Sequence, residues 1–483
     1  MPNFHSIVSR RDFVKALGLA GAGIGTAAAT ATAPMFHDLD EVIASPSAAN
    51  ERPWWVKDRG LYQPTLEVDW DIMTPPDGRV SGQQTETQIH YLGSEEVKRR
   101  LSSNIMSPNV EAAINNTPGK TLRDQALGFS SIVPMMIHGI SFMGPGLIPT
   151  PATTGAPKWE GTPEENSRMV RSVLTFLGAG MVGFGEISSQ EREKIFYTYH
   201  KQVPNKRQVF EDVDVGYEGT DKYVFPDRKL YKISMSLPMS REMYRTSDRS
   251  SLQFAANVSR YRHFSMLQPA FQEFIRGIGY HCYGYPVPQA GPMPAAVSAI
   301  LTGLAESSRN SGYCISPDYG PVSGFFTFIT DLPVEPTTPI DAGIWRFCQT
   351  CNKCAQNCPT QVIPYDKEPS WELPTLYGKP DIIHPSGKRM FYANHIECWM
   401  YCFEGGCGTC MATCTFNVNG AAMVHDVVKA TLATTPMFNE FLWKADKTFG
   451  YGVKSGEEKE DWWDLSLPSM GWDTTSFSKH GGY

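Results

Sequence analysis

The chain is short of positive charge. It carries 43 Lys and Arg against 50 Asp and Glu, a formal net charge of −7, with no basic patch along its 483 residues. That balance argues against a nucleic-acid partner. Beyond the N-terminus there is no run of about 18 apolar residues of the kind that spans a bilayer, and no repeat of solenoid length. What remains is an ordinary globular composition, 41% hydrophobic, long enough for two or three domains. Aromatics are plentiful at 12%, eleven of them tryptophan, which points to a core or pocket with flat apolar walls.

Cysteine is nearly absent outside one region: of eleven, only Cys282 and Cys314 lie outside the stretch from Cys348 to Cys414. FCQTCNKCAQNCPT places Cys348, Cys351, Cys354 and Cys358 ahead of Pro359. This CxxCxxCxxxCP spacing is the bacterial ferredoxin run, whose fourth cysteine ligates a second cluster. The segment ECWMYCFEGGCGTCMATC supplies the other half through Cys407, Cys410 and Cys414, with Cys398 and Cys402 upstream. By the exchange rule one [4Fe-4S] cluster takes Cys348, Cys351, Cys354 and Cys414. The other takes Cys358, Cys407, Cys410 and either Cys398 or Cys402. Structural zinc usually pairs CxxC knuckles across a longer loop and fits three consecutive short gaps poorly. A disulfide framework belongs to small domains with little core.

The N-terminus reads as an address. SRRDFVKALGLAGAGIGTAAATATA pairs Arg10 with Arg11 ahead of a Gly- and Ala-rich apolar stretch, the pattern of a twin-arginine export signal. That signal is expected over 1–33, with a small-residue cleavage site near Ala31-Thr32-Ala33. The route carries proteins already folded around a cofactor, which suits an exported iron–sulfur protein.

A segment over 34–160 is expected to pack on the core, with Trp54, Trp55 and Trp70 in its Pro- and Gly-rich first part and short helices in SEEVKRRLSSNI and TLRDQALGFSSIV. Thr162 with Glu164 and Glu165 predicts a capped amphipathic helix leading into a buried strand. KYVFPDRKLYKISMSLPM alternates as strands do. LQFAANVSRYRHFSMLQPAFQEFIRGIGY is helical on either side of a break or kink at Pro269. PMPAAVSAILTGLAESSRNSGY predicts a helix ending near Gly312. This alternation indicates an α/β core over 161–335, an iron–sulfur domain over 336–425, and a tail over 426–483 packing on the surface.

The twin-arginine signal, the RPWWVKDRGLYQPTLEVDW and FIRGIGY segments and the two cysteine motifs together resemble the catalytic subunit of the respiratory reductive dehalogenases. The resemblance runs from Ser9 to about Val418. It implies a nitroreductase-like α/β corrinoid-binding core, a C-terminal ferredoxin-like domain with two [4Fe-4S] clusters, and a buried pocket above cobalt. No DxHxxG motif for lower-face ligation is present, in keeping with the base-off cobamide that the resemblance implies. It also implies a small integral-membrane anchor subunit, electron-donating respiratory components, and a site on the outer face of the cytoplasmic membrane. The implied substrate is a small halogenated organic molecule, a chlorinated ethene or arene. The alternatives are an exported two-cluster electron carrier without corrinoid and an enzyme like epoxyqueuosine reductase.

For residues, the resemblance makes Tyr261 the proton donor above cobalt. The basic residue expected after a YGP turn is missing, because Tyr319-Gly320-Pro321 is followed by Val322; Arg309 is expected to take that role, with Arg276 as the other candidate. Arg260 and Arg262 flank Tyr261 but are expected to point elsewhere on a helix. The Cys398-Trp399 pair favours Cys398 over Cys402 as ligand. Trp345 stands either between cluster and pocket or in ordinary core packing, and His384 and His395 are expected to be surface or core residues.

Overall fold

Alternating apolar residues make the central sheet. Strands β1 (Met181–Glu186), β2 (Tyr231–Pro238), β3 (Cys282–Tyr283) and β4 (Ser323–Thr330) stand in the order β1-β2-β4-β3, antiparallel throughout. All eight residues of β2 pair with β4, from Ser323 opposite Pro238 to Thr330 opposite Tyr231. Successive side chains leave opposite faces of a strand. Ile233, Met235, Leu237, Phe326 and Phe328 therefore turn to one side, where they are buried with Val170, Leu174, Phe264, Phe271 and Ile275. On the other side Ser234 Oγ meets Ser298 Oγ at 2.6 Å. This is the computed structural model of the chain, and it describes residues 52–53, 55–418, 423–435, 437 and 452–465. The paired arginines, Trp54 and much of the tail lie outside those residues.

The helices follow from caps and periodicity. α1 (Leu122–Met136) starts at Thr121, whose side chain accepts from the Asp124 amide. α2 (Pro163–Phe176) starts at Thr162, capped against Glu165 with Pro163 in the first turn, as the sequence predicts. α3 (Ser251–Gly277) departs from expectation: it runs 27 residues straight through Pro269. A proline inside a helix removes one backbone hydrogen bond, but burial of Phe264, Leu267, Phe271 and Ile275 holds both halves in line. Gln268 and Gln272 add bonds to the Ser141, Phe142, Tyr285 and Cys282 carbonyls. α4 (Ala295–Leu301) also differs, ending at Leu301 rather than near Gly312. Gly303, at φ 75°, turns the chain there, and Glu306 and Ser307 then pair with Ile315 and Cys314. Arg309 and Asn310 sit on the loop of that ribbon.

The cysteine region adds four short helices, α5 (Ile344–Thr350), α6 (Lys353–Asn357), α7 (His395–Gly405) and α8 (Thr409–Ala412). Lys57 and Asp58 pair with Asp341 and Ile340. Trp55 is buried with Ile340, Ile344 and Phe347, and Trp70 packs on the apolar cluster around Phe225 and Tyr283. In the tail, Trp463 Nε1 donates to Asp124 at 2.8 Å. The described residues belong to one compact unit.

Candidate active site

Tyr261 lies mid-way along α3, half-buried, with its ring edge-on to Phe326 at 6.1 Å. The cation it meets is its own neighbour. Arg260 Nη2 donates to the Tyr261 hydroxyl at 3.1 Å, and the guanidinium carbon stands 4.7 Å from the ring centre. Adjacent helical positions point about 100° apart, but the arginine stem is long enough to fold back. Gly324 makes room for it, since a Cβ there would come within 2.4 Å of Arg260 Cδ. Burial alone would lower the Arg260 pKa, and the charges of Tyr261 and Tyr244 more than offset it, so the net shift is upward. Lys201 Nζ lies 5.2 Å from the Tyr197 ring centre. Against the pull of burial, Tyr197 and Tyr261 hold the Lys201 pKa above its ordinary value.

Arg309 does not take this place. Its Nε donates to the Cys348 and Cys351 carbonyls at 2.9 Å, its Nη1 to those of Pro364 and Asp366, and its Nη2 to that of Gln349. Its guanidinium carbon stands 4.0 Å from the Phe391 ring centre. A guanidinium with all three nitrogens committed to backbone carbonyls is a brace for the cysteine loop, not a partner for a distant hydroxyl. Arg276 is also elsewhere, bonded to the Ile148 carbonyl and paired with Glu273. Val322, where the expected arginine is missing, is buried in the cluster containing Met239 and Tyr244. Trp345 is buried against Phe391 at 5.6 Å, the core-packing alternative.

The nine clustered cysteines fall into two neighbourhoods. Cys348, Cys351, Cys354 and Cys414 line one small cavity with Arg309, Tyr313 and Phe347. Burial first, then the neighbouring Cys414, Cys351 and Cys354, pushes the Cys348 thiol well up. Cys398 and Cys402 stand one turn apart on α7. Hydrogen bonding to Cys398 and Cys407 raises Cys402, and the Cys402 bond brings Cys407 down to about 7. Cys358 is absent from the first cavity and packs in the apolar group that holds Cys354 and Cys410. Among the described residues no three His, Cys, Asp or Glu side chains converge on a single point.

A corrinoid can be tested against the same end of the sheet. Its rim carries amides, which need buried donors and acceptors. Ser236 Oγ, Ser323 Oγ and Asn417 Oδ1 are buried without hydrogen-bond partners, the two serines on the sheet face turned away from Tyr261, and Arg260 Nε is unpartnered on the Tyr261 face. On the Tyr261 face the donor left for a rim amide is Arg260 Nε. Sequence reasoning missed these residues because serines inside strands and an asparagine after a cysteine carry no spacing signal.

A cysteine array and a tyrosine whose hydroxyl is held by a cation, on a mixed α/β core, suit electron and proton transfer. The family model described as reductive dehalogenase subunit matches residues 51–334, and the chain belongs to that family. It is 29% identical over 538 residues to the chloroethene reductive dehalogenase of Dehalococcoides mccartyi strain VS, covering 98% of this chain and 99% of that one. It is 30% identical over 576 residues to the trichloroethene reductive dehalogenase of another strain of that species, covering 97% and 98%. The fold matches that of a variant of the catabolic reductive dehalogenase NpRdhA with a TM-score of 0.59 at 18% identity, covering 86% of this chain and 51% of that one. The chain thus spans about half the length of that structure. A second structure, of a reductive dehalogenase described as suggesting a mechanism for B12-dependent dehalogenation, matches with a TM-score of 0.54 at 17% identity, covering 82% and 49%. The enzyme is a reductive dehalogenase, an oxidoreductase acting on carbon–halogen bonds.

Proposed function

We propose that this enzyme removes halide from a chlorinated ethene as the terminal step of an anaerobic respiration: R–Cl + 2e⁻ + H⁺ → R–H + Cl⁻. The observation that carries the reading is the Arg260–Tyr261 hydrogen bond, which gives the proton donor its cation. In support of the substrate class, the relatives matching nearly the whole chain are named for chloroethene and trichloroethene.

In this reading the core is nitroreductase-like and a base-off cobamide would be held beside Arg260 and Tyr261. That group supplies the low-valent cobalt that reduces the carbon–halogen bond. The chain's own residues do the rest. Tyr261 delivers its hydroxyl proton to the carbon that loses halide, and Arg260 stabilises the phenolate that remains. An unperturbed tyrosine has a pKa of about 10, so a cation within hydrogen-bond reach is what makes the transfer affordable near neutrality. Phe326 and the surrounding rings keep water from the reacting carbon.

The C-terminal region is read as a ferredoxin-like domain with two [4Fe-4S] clusters. Cys348, Cys351, Cys354 and Cys414 would hold one; Cys358, Cys398, Cys407 and Cys410 would hold the other, with Cys402 as the alternative to Cys398. The clusters would carry electrons from respiratory donors to the corrinoid. The enzyme would be exported by the twin-arginine route and bound to the outer face of the cytoplasmic membrane through a small integral-membrane subunit.

The test uses the reduced, cobamide-loaded enzyme offered a panel of chlorinated ethenes, ethanes, benzenes and phenols, with halide release measured. Chloroethene turnover is expected, and Tyr261→Phe should abolish most of it while iron and cobalt contents stay normal. Iron without bound cobamide would overturn the reading in favour of an electron carrier. Unchanged turnover by the variant would remove Tyr261 from the mechanism.

A further inference from the structure

Beside the second cysteine neighbourhood lies a line of three titratable side chains that the proposed mechanism does not use. Asp381 Oδ2 meets His384 Nδ1 at 2.6 Å, His384 Nε2 meets His395 Nδ1 at 3.0 Å, and His395 Nε2 meets the Asn310 carbonyl at 3.2 Å. The line is shielded from solvent, with side-chain exposures of 0% for Asp381 and 9% for His384. Its far end touches the cysteines, because the Asn310 side-chain amide points to Cys410 Sγ at 3.7 Å.

Counting protons along the line gives its charge. The bond to Asn310 needs a hydrogen on His395 Nε2, because a carbonyl only accepts. Asp381 Oδ1 accepts the Ile383 and His384 amides. Burial alone would raise the Asp381 pKa, but His384 and these amides hold it below the ordinary carboxylate value. The Asp381 bond therefore needs a hydrogen on His384 Nδ1. The bond between the two rings needs a third. Two neutral imidazoles carry two ring hydrogens in all, so the arrangement is complete only with one extra proton. The geometry thus offers a place for one proton beyond those of the two neutral rings, at the Asp381 end of the line. His395 stays neutral, its pKa pulled down to about 3 by burial first and then by His384.

The groups around the line leave this assignment standing. The Lys388 amine faces Asp381 and is drawn down to about 8 by burial. The Tyr392 ring lies 5.3 Å from His384 and its hydroxyl is pushed up to about 12, chiefly by burial, so it stays neutral. Tyr91 donates to the Pro380 carbonyl, accepts from the Ile382 amide, and is likewise raised by burial. Lys201 faces His395 from the active-site side and disfavours a charge there.

We propose that the Asp381–His384–His395 line is a redox-linked proton site for the second cluster, taking one proton from solvent when that cluster takes one electron from its donor. The inference rests on the two-cluster reading above. An electron added to a buried cluster is an uncompensated negative charge, and an imidazolium three hydrogen bonds away offsets it in a medium of low dielectric. When the electron moves on, the proton is released. His384 and His395 are thus positioning residues for charge, not ligands.

The experiment is a spectroscopically monitored redox titration of the iron-loaded enzyme between pH 6 and 9, reduced with titanium(III) citrate. One of two cluster signals should shift its midpoint toward more negative values as pH rises. For one proton per electron the limiting slope is a tenfold change in proton activity per about 59 mV. The other signal should move little. His384→Gln should keep its iron and both signals but lose the slope. Asp381→Asn, which weakens the hold on the imidazolium, should move the sloping region to lower pH. A second signal whose midpoint ignores pH in the unmodified enzyme overturns this inference and leaves the two-cluster reading intact. So does a slope that survives His384→Gln. Absence of a second cluster signal at full iron loading overturns both.

Discussion

At the scale of single residues, Arg260 is the clearest case of a side chain whose role depends on its reach. Helical geometry separates neighbouring Cβ directions and excludes contact between short side chains, yet the guanidinium of Arg260 folds back to the hydroxyl of Tyr261. Arg260→Met should keep the stem that packs on Gly324 and remove the charge. Turnover is expected to fall by about 10²-fold or more, the usual worth of supported proton transfer. Arg260→Lys should restore part of it. Both are read from pH profiles of halide release at constant iron and cobalt content. Tyr261 was legible only through the resemblance to a family, because one tyrosine on a half-buried helix carries no spacing of its own. Its partner was not legible, because sequence distance misjudges an arginine that bends.

At the scale of elements, the brace made by Arg309 joins three pieces of chain: the ribbon after α4, the turn between α5 and α6, and the strand-less run through Pro364 and Asp366. Removing a buried donor strands its acceptors at about 1–3 kcal/mol each. Arg309→Met should therefore lower the melting temperature by several degrees and cost iron from the first cysteine group before the second, as followed by iron counts and thermal unfolding. The same effect on both groups, or on neither, would deny the brace its local role. Elements with repeated signals were readable in advance: the Thr162 cap and the alternating strands both rest on periodicity or short-range chemistry. The end of α4 and the unbroken α3 were not. Gly303 reads as an ordinary glycine until its left-handed backbone is seen, and Pro269 reads as a break until the packing on both sides of it is counted.

At the scale of the whole molecule, several carboxylates are held below their ordinary range against the cost of burial: Asp331 by His281, Asp381 by His384 and Glu273 by the amides of Ile148, Gly146 and Leu147. A depressed folded-state pKa gives stability that is present above the unfolded value, about 4 for a carboxylate, and lost as pH falls through the folded value. Urea unfolding should show the midpoint falling between pH 5 and pH 3, and changing little between pH 6 and pH 7. Chelation of iron should lower the midpoint further, because the first cysteine group ties Cys414 to the α5 and α6 segment within one cavity. The fold class was readable because a long chain with alternating elements allows few architectures. The unpartnered Ser236, Ser323 and Asn417 were not, because nothing in their sequence spacing marks them.

The short pairing of Lys57 and Asp58 with Asp341 and Ile340 also sets a clock. The first partner leaves the ribosome before the core is made, and the second after it. At about 5–20 residues per second the early strand waits for tens of seconds without its neighbour. Its mate arrives just ahead of Cys348, so this backbone closure and the delivery of the first cysteines fall in the same short interval of synthesis.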